Sequence, residues 1–239
     1  LVDTSGSMEG TKIASLNTAV RETLNDVGEI SANNGDAQIK VAVLEFSSGT
    51  QWMYPQPEPS ENFKWQDLEA NGLTSLGAAY SELNAKLSKS NGFMAEPTVS
   101  RAPAMILLTD GMPTDDYKRP LEKLKTNPWF KAGVKVAIAI GDKDTNVDVL
   151  AEFTGNKEAV FTVHTKDQLK NIIKTVSVTA SQVASQSASV GVAANGTPAD
   201  AQSQLVANMT NAIQTDDALK NVDQGKSTAN AGTDDWAKW

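Results

Sequence analysis

The strongest constraint on this chain is its rhythm. From Leu1 to about Val178, short apolar runs alternate with stretches whose apolar residues recur at helical spacing. After "LVD", the segment "TKIASLNTAVRETLNDVGEI" sets Ile13, Leu16, Val20, Leu24 and Val27 along one helical face. "AQIKVAVLEFS" is rich in β-branched residues and lies between Gly35-Asp36 and Ser48-Gly49, the pattern of a strand. "SLGAAYSELNAKL" returns to the helical period through Leu76, Ala79, Leu83 and Leu87. "APAMILLTDG" and "VKVAIAIGD" are continuous apolar runs that end in turns, as strands buried on both faces do. Between them a helix is predicted from about Tyr117 to Lys125, stopped near Pro128. "NVDVLAEFTG" predicts a short helix closed by Gly155, "AVFTV" a strand, and "TKDQLKNIIKTVSV" a last helix. Strands alternating with helices in this way form a mostly parallel sheet with helices on both faces, an α/β fold.

Near residue 180 the rhythm stops. "TASQVASQSASVGVAANGTPADAQSQ" offers almost nothing large to bury, so residues 1–180 read as one domain and 181–239 as a low-complexity linker or tail. Within the tail Leu205, Met209 and Ile213 sit four apart and predict a short amphipathic helix. Trp236 and Trp239 are candidates for contact with another molecule. A length of 239 residues suits one well-buried domain plus such an appendage. Leu1 is not an initiator Met, and the first strand is expected to be cut short there.

Several function classes lose their footing on inventory. A net charge of -8 argues against a nucleic-acid partner, which requires a basic face. With no Cys there are no thiolate sites or Cys nucleophiles. No apolar run approaches the ~20 residues of a membrane helix. His164 is the sole histidine, reads as a strand-end residue, and no G-x-S-x-G elbow accompanies it. Gly6 and Gly10 precede Thr11-Lys12 in the wrong order for a phosphate loop, and no G-x-G-x-x-G follows a strand.

What remains lies at the strand ends, where open parallel sheets bind ligands. Asp3, Ser5 and Ser7 follow the first strand, Thr74 and Ser75 precede a helix, and Asp110, Gly111 and Thr114 follow "APAMILLT". Two carboxylates and several hydroxyls are hard oxygen donors suited to Mg²⁺, with Mn²⁺ or Ca²⁺ as alternatives. Two carboxylates leave the coordination shell of such a cation incomplete, with waters in it and room for an Asp or Glu from outside to complete it.

"VDTSGSM", "LTSLGAA" and "LLTDGMPTD", in this order, resemble the von Willebrand factor A domain, and most closely its bacterial TerY-like branch linked to tellurite resistance and stress operons. The resemblance covers roughly residues 1 to 180. It implies a Rossmann-like sheet with one antiparallel edge strand. It also implies a metal-ion-dependent adhesion site with Ser5, Ser7 and Thr74 as direct ligands and Asp3 and Asp110 acting largely through water. The implied activity is metal-dependent protein binding, not catalysis. The implied setting is intracellular, in the cytoplasm, beside kinase-like and phosphatase-like partners.

Two rival uses of the same residues stand beside this one. The first is Mg²⁺-dependent phosphoryl transfer with Asp3 as nucleophile, although Ser5 stands where the acid of such enzymes would be. The second is a self-assembling scaffold in which a tail carboxylate, Asp216 or Asp234, fills the metal site. Asp142, Asp144, Asn146 and Asp148 imitate the start of a calcium loop, but Val147 and Phe153 replace its Gly and Glu, so a turn and N-cap are expected. Asp115 and Asp116 are expected to supply helix N-terminal charge. Trp52, Trp65 and Trp129 are expected to cover the sheet edge.

Overall fold

A computed structural model describes residues 1–33, 38–90, 92–94, 102–141, 146–186 and 198–226. Seven strands form one sheet: β1 (Val2–Asp3), β3 (Leu44–Phe46), β4 (Thr50–Trp52), β6 (Ala104–Thr109), β7 (Val134–Ile140), β8 (Val160–Val163) and β9 (Asp223–Gln224). Their order is β4-β3-β1-β6-β7-β8-β9. The five central strands run parallel, and β4 and β9 close the two edges antiparallel. Two further short strands, β2 (Lys40–Val41) and β5 (Glu58–Pro59), pair antiparallel outside the main sheet. The stretch read as a single strand is thus two, with only its second part in the sheet.

The helices are α1 (Thr11–Asn33), α2 (Leu76–Lys86), α3 (Lys118–Thr126), α4 (Pro128–Ala132), α5 (Val147–Thr154), α6 (Lys166–Gln186) and α7 (Pro198–Thr215). Strand alternation divides the core. Val134, Val136, Ile138 and Ile140 of β7 face a cluster with Leu16, Ile172, Val176, Leu205 and Met209. Ala137 and Ala139, between them, face a cluster with Leu76, Tyr80, Leu121, Leu124 and Phe153. One face of the sheet therefore carries α1, α6 and α7, and the other α2 to α5. Ion pairs Lys170–Glu22 (2.6 Å) and Lys174–Asp26 (3.0 Å) lace α6 to α1 along their exposed sides.

Local chemistry sets the helix ends. Gly155 closes α5 at φ 72°, the left-handed conformation that glycine adopts without penalty. Pro128 does not merely end α3; it opens α4, with the Asn127 side chain accepting from Trp129 N at 2.9 Å. The helix expected to be last extends beyond Val178 to Gln186, because Ala180 and Val183 keep its apolar stripe buried.

The C-terminal region returns to the sheet. Residues 187–197 lie outside the described residues, but α7, at 18 residues, is longer than the short helix expected. Leu205 and Met209 are fully buried, the very residues whose spacing predicted a helix. Gln202 fits an uncovered length of β7, where β8 has not yet begun to pair: its Oε1 accepts from Lys135 N and its Nε2 donates to Lys135 O, both at 2.8 Å. The side-chain amide thus stands in for a neighbouring strand. His164 follows β8, and its Nε2 lies 3.0 Å from Asp223 Oδ2 on β9. Trp236, Trp239, Asp234 and the Asp142–Asp144 turn lie outside the described residues.

Candidate metal centre

The sheet order fixes where a site can form. From β1 the chain crosses to β3 on one side and later to β6 on the other, so the C-terminal ends of β1 and β6 flank the point where the connections diverge. Crevices of this kind open above the sheet without either helical layer blocking them. Asp3 ends β1, and Asp110 directly follows β6.

Asp3 is fully buried with both oxygens engaged. Oδ1 accepts from Ser5 N at 2.8 Å and Oδ2 from the Thr109 hydroxyl at 2.5 Å. Burial is the main influence on its carboxyl and raises its pKa; the Thr109 and Ser5 hydrogen bonds oppose that rise, and the nearby Asp110 adds to it. The chain then makes a 3-10 turn at Gly6–Met8, which seats Met8 in the core and leaves Ser7 at the surface. Ser5 Oγ and Ser7 Oγ are 3.0 Å apart, and Ser7 Oγ donates to Asp110 Oδ1 at 2.7 Å. Asp110 Oδ2 receives the Lys12 ammonium.

Thr74 approaches from the third loop. A Cβ on Gly111 would stand 3.5 Å from Ser7 Oγ and 3.6 Å from Thr74 Oγ1, so both hydroxyls border the same small space. Thr114 holds this loop: its Oγ1 accepts from Thr74 N at 3.1 Å, and its amide donates to Thr74 O at 2.9 Å. Asp115 caps α2 from across the site, accepting from Gly77 N and Ala78 N at 3.0 Å each. The helix N-terminal charge expected of Asp115 therefore serves α2, not the helix that follows it in sequence. Gly77 is required for this contact, since a Cβ there would lie 2.5 Å from Asp116 O.

Asp3, Ser5, Ser7 and Asp110 thus share one hydrogen-bonded network, with Thr74 at its border. Thr109 and Lys12 belong to that network and were missed in the sequence. The signal for Thr109 was a polar residue ending an apolar strand. For Lys12 it was a cation in the first turn of a helix that has no acid there. Among the described residues no three carboxylate, imidazole or thiol groups gather in any one place. Any cation held here depends on serine and threonine hydroxyls as well as on two carboxylates, the donor set of a hard divalent ion.

The other singled-out residues lie apart from this network. Asp216 accepts from Ala218 N at 2.9 Å, capping a 3-10 turn. Trp52 stacks edge-on with Phe93 at 4.7 Å and donates to Glu82, Trp65 donates to Asn17, and Trp129, in α4, is buried. Among the described residues no helix is long and apolar enough to cross a membrane.

Comparison with known proteins agrees with this architecture. No curated protein matches the sequence significantly. Among solved structures, the fold resembles a von Willebrand factor type A protein from Catenulispora acidiphila, at 20% identity and TM-score 0.52, covering 72% of this chain and 39% of that one. It also resembles proximal thread matrix protein 1 from the mussel byssus, in a structure described as having a zinc-occupied MIDAS motif. Identity there is 19% and TM-score 0.53, with 72% of this chain and 45% of the other covered. A D319A mutant of the PilB minor pilin from Streptococcus sanguinis matches at 15% identity and TM-score 0.52, over 77% of this chain and 60% of that one. The chain thus corresponds to between 39% and 60% of the length of these neighbours. The von Willebrand factor type A domain profile matches residues 1–175. Domains of this type are often metal-dependent protein-interaction modules and typically not enzymes. The chain belongs to the von Willebrand factor type A domain family.

Proposed function

We propose that this protein is a metal-dependent binding module in which Asp3, Ser5, Ser7, Thr74 and Asp110 hold a divalent cation, Mg²⁺ foremost, that bridges to a carboxylate of a partner protein. The observation that carries this is the run of contacts from Ser5 through Ser7 to Asp110, with Thr74 bordering the same space at the divergence point of the sheet. Ser7 is exposed while both carboxylates are buried. A cation seated there would be reached from outside past the Ser7 hydroxyl. Of the described residues, the two large hydrophobics left exposed are Leu73, 60% accessible, and Met112, 45% accessible. Each lies within two residues of a site residue, so an acidic partner residue flanked by apolar side chains suits the surface. The zinc in the mussel protein's motif supports a metal of this valence here.

The resemblance of the three motifs supports extending this proposal to the TerY-like branch, with a kinase-like or phosphatase-like partner in a cytoplasmic stress or tellurite-resistance system. Phosphoryl transfer by Asp3 fits less well. A nucleophile needs a free oxygen, and both of Asp3's are committed to Ser5 N and Thr109 Oγ1 inside a fully buried setting.

Calorimetric Mg²⁺ titration and Mg²⁺-induced thermal shift test the assignment. Asp3→Ala and Asp110→Ala should lose both responses, and Ser7→Ala and Thr74→Ala should weaken them with the fold intact. A wild-type cation response in either aspartate variant would overturn the site.

A further inference from the structure

Lys12 is an unusual guest in its setting. It occupies the first turn of α1, where exposed amides and the helix dipole disfavour a cation. Its ammonium nevertheless turns inward onto Oδ2 of Asp110, whose side chain is fully buried while that of Lys12 is 23% accessible. Oδ1 of the same carboxylate takes the Ser7 hydroxyl, so Asp110 is held on one side by a candidate metal ligand and on the other by a fixed positive charge.

We infer that Lys12 sets the charge of the metal centre, lowering its affinity for the cation and raising the affinity of the loaded site for an anionic partner. This inference rests on the metal-dependent binding reading above. Two carboxylates and one ammonium leave the protein side of the site with a single negative charge. A divalent ion then leaves one positive charge, where the carboxylates alone would have reached neutrality. Coulomb repulsion between the ammonium and the ion weakens metal binding, and the surplus charge attracts an external carboxylate. The same pairing stabilises Asp110 as a buried anion when it has no other cationic neighbour. Lys12 is therefore a tuning residue acting through Asp110, and its removal should move two affinities in opposite directions. A role confined to structure would not give that signature.

The test uses the full chain and the variants Lys12→Met, Lys12→Gln and Lys12→Arg. Mg²⁺ and Mn²⁺ affinities are read by calorimetry. Carboxylate affinity of the Mn²⁺-loaded protein is read by the fall in water proton relaxation as acetate displaces bound water. Lys12→Met and Lys12→Gln should bind Mg²⁺ about tenfold more tightly, while acetate binding to the loaded protein weakens several-fold. Lys12→Arg should stay near wild type in both. Should either neutral variant fold poorly without metal, refolding in excess Mg²⁺ followed by EDTA titration gives the same comparison. Unchanged or weaker metal binding in both neutral variants overturns the inference, as does a loss of both affinities together. Asp110→Ala separates the two levels. If it keeps wild-type metal affinity, the metal-centre reading fails; if it loses metal while the neutral Lys12 variants are unaltered, only the role of Lys12 falls.

Discussion

Thr109 gives the sharpest check on how the site is held together. It ends β6 and is buried, and its hydroxyl donates to Asp3 Oδ2 at 2.5 Å while accepting from Gly111 N at 3.3 Å. Thr109→Val keeps the shape and removes both interactions. A hydrogen bond to a buried charged group contributes roughly 1.5–3 kcal/mol, so a loss of about 2 kcal/mol is expected without metal. In a chain of this size that corresponds to a fall in Tm of about 4–8 °C. Loss of an orienting partner of this kind typically costs about 10- to 100-fold in metal affinity, and Mg²⁺ titration should show it. The deficit should also depend on pH with a definite sign. Burial raises the Asp3 pKa above its ordinary value, so its contribution to stability is greatest below that ordinary value and is lost as pH rises through the folded one. The Thr109 bond works against the rise. Removing it pushes the folded pKa higher still, and the gap between variant and wild type widens as pH climbs from the ordinary Asp range toward neutrality. Urea denaturation in EDTA, from about pH 5 to pH 8, measures that gap directly. A gap constant across the range would mean that Thr109 only fills space, and no gap would refute the hydrogen bond's role altogether.

Tyr80 is fully buried against Phe153, ring to ring at 5.6 Å, and its hydroxyl has no hydrogen-bond partner among the described residues. Tyr80→Phe should therefore raise stability by about 1 kcal/mol; a lower Tm would show that the hydroxyl is satisfied after all. Gly77→Ala would normally favour a helix, yet its Cβ would lie 2.5 Å from Asp116 O. A loss of about 2 kcal/mol is expected in thermal melts, and a neutral result would mean that residues 115–116 yield freely. Gln202→Ala removes both hydrogen bonds to the Lys135 backbone and should accelerate amide exchange at Lys135; unchanged protection would show that α7 is not what covers that edge. Ser substitutions at Leu73 and Met112 together should leave Mg²⁺ affinity at the wild-type value, and a changed affinity would tie these side chains to the metal instead of to a partner.

Legibility followed the physics of each signal. The parallel sheet was readable because strands buried on both faces produce unbroken apolar runs, as in "MILL" of β6 and "VAIAI" of β7. Strand-end carboxylates were readable because each follows an apolar run and is joined by hydroxyl residues close by in the sequence. The partners of those carboxylates were not, because Thr109 to Asp3 and Lys12 to Asp110 span 106 and 98 residues of chain. No periodicity encodes such a pairing. The second antiparallel edge was hidden for a related reason: β9 has two residues, both polar, and owes its place to Asp223 and Gln224 meeting Thr162 and Phe161. Composition misled most over α7. A helix of Ala, Gln, Asn and Ser looks unable to bury itself, yet Leu205 and Met209 reach the core shared with α6 and Gln202 completes a sheet edge. Few large residues suffice when a neighbouring surface is already formed.

That economy also bears on the metal centre. Hydroxyl ligands bring little charge, so affinity must come from holding their oxygens in place before the ion arrives. The loops are tied accordingly, backbone to backbone: Thr4 N to Phe46 O at 2.9 Å, Asn71 N to Thr4 O at 2.8 Å, Gly6 N to Gly72 O at 3.0 Å, and Ser75 N to Ser47 O at 2.9 Å. These bonds join the segments after β1 and β3 to the loop carrying Thr74. Gly72 makes the join feasible, with φ at 78°, a conformation glycine adopts without penalty, and a Cβ there would also displace Ser48 Oγ, 2.4 Å away, from its contact with Leu73 N. Gly72→Ala should consequently weaken Mg²⁺ binding even though Gly72 offers the ion no side-chain oxygen. It would do so by moving Thr74 away from Ser7 and by freeing Gly6. The measurement is the ratio of affinity lost to stability lost, by calorimetry and urea melts on the same preparation. A variant that loses stability but binds Mg²⁺ like wild type would show that the ion can gather its own ligands, and prior placement of the hydroxyls would then be irrelevant to affinity.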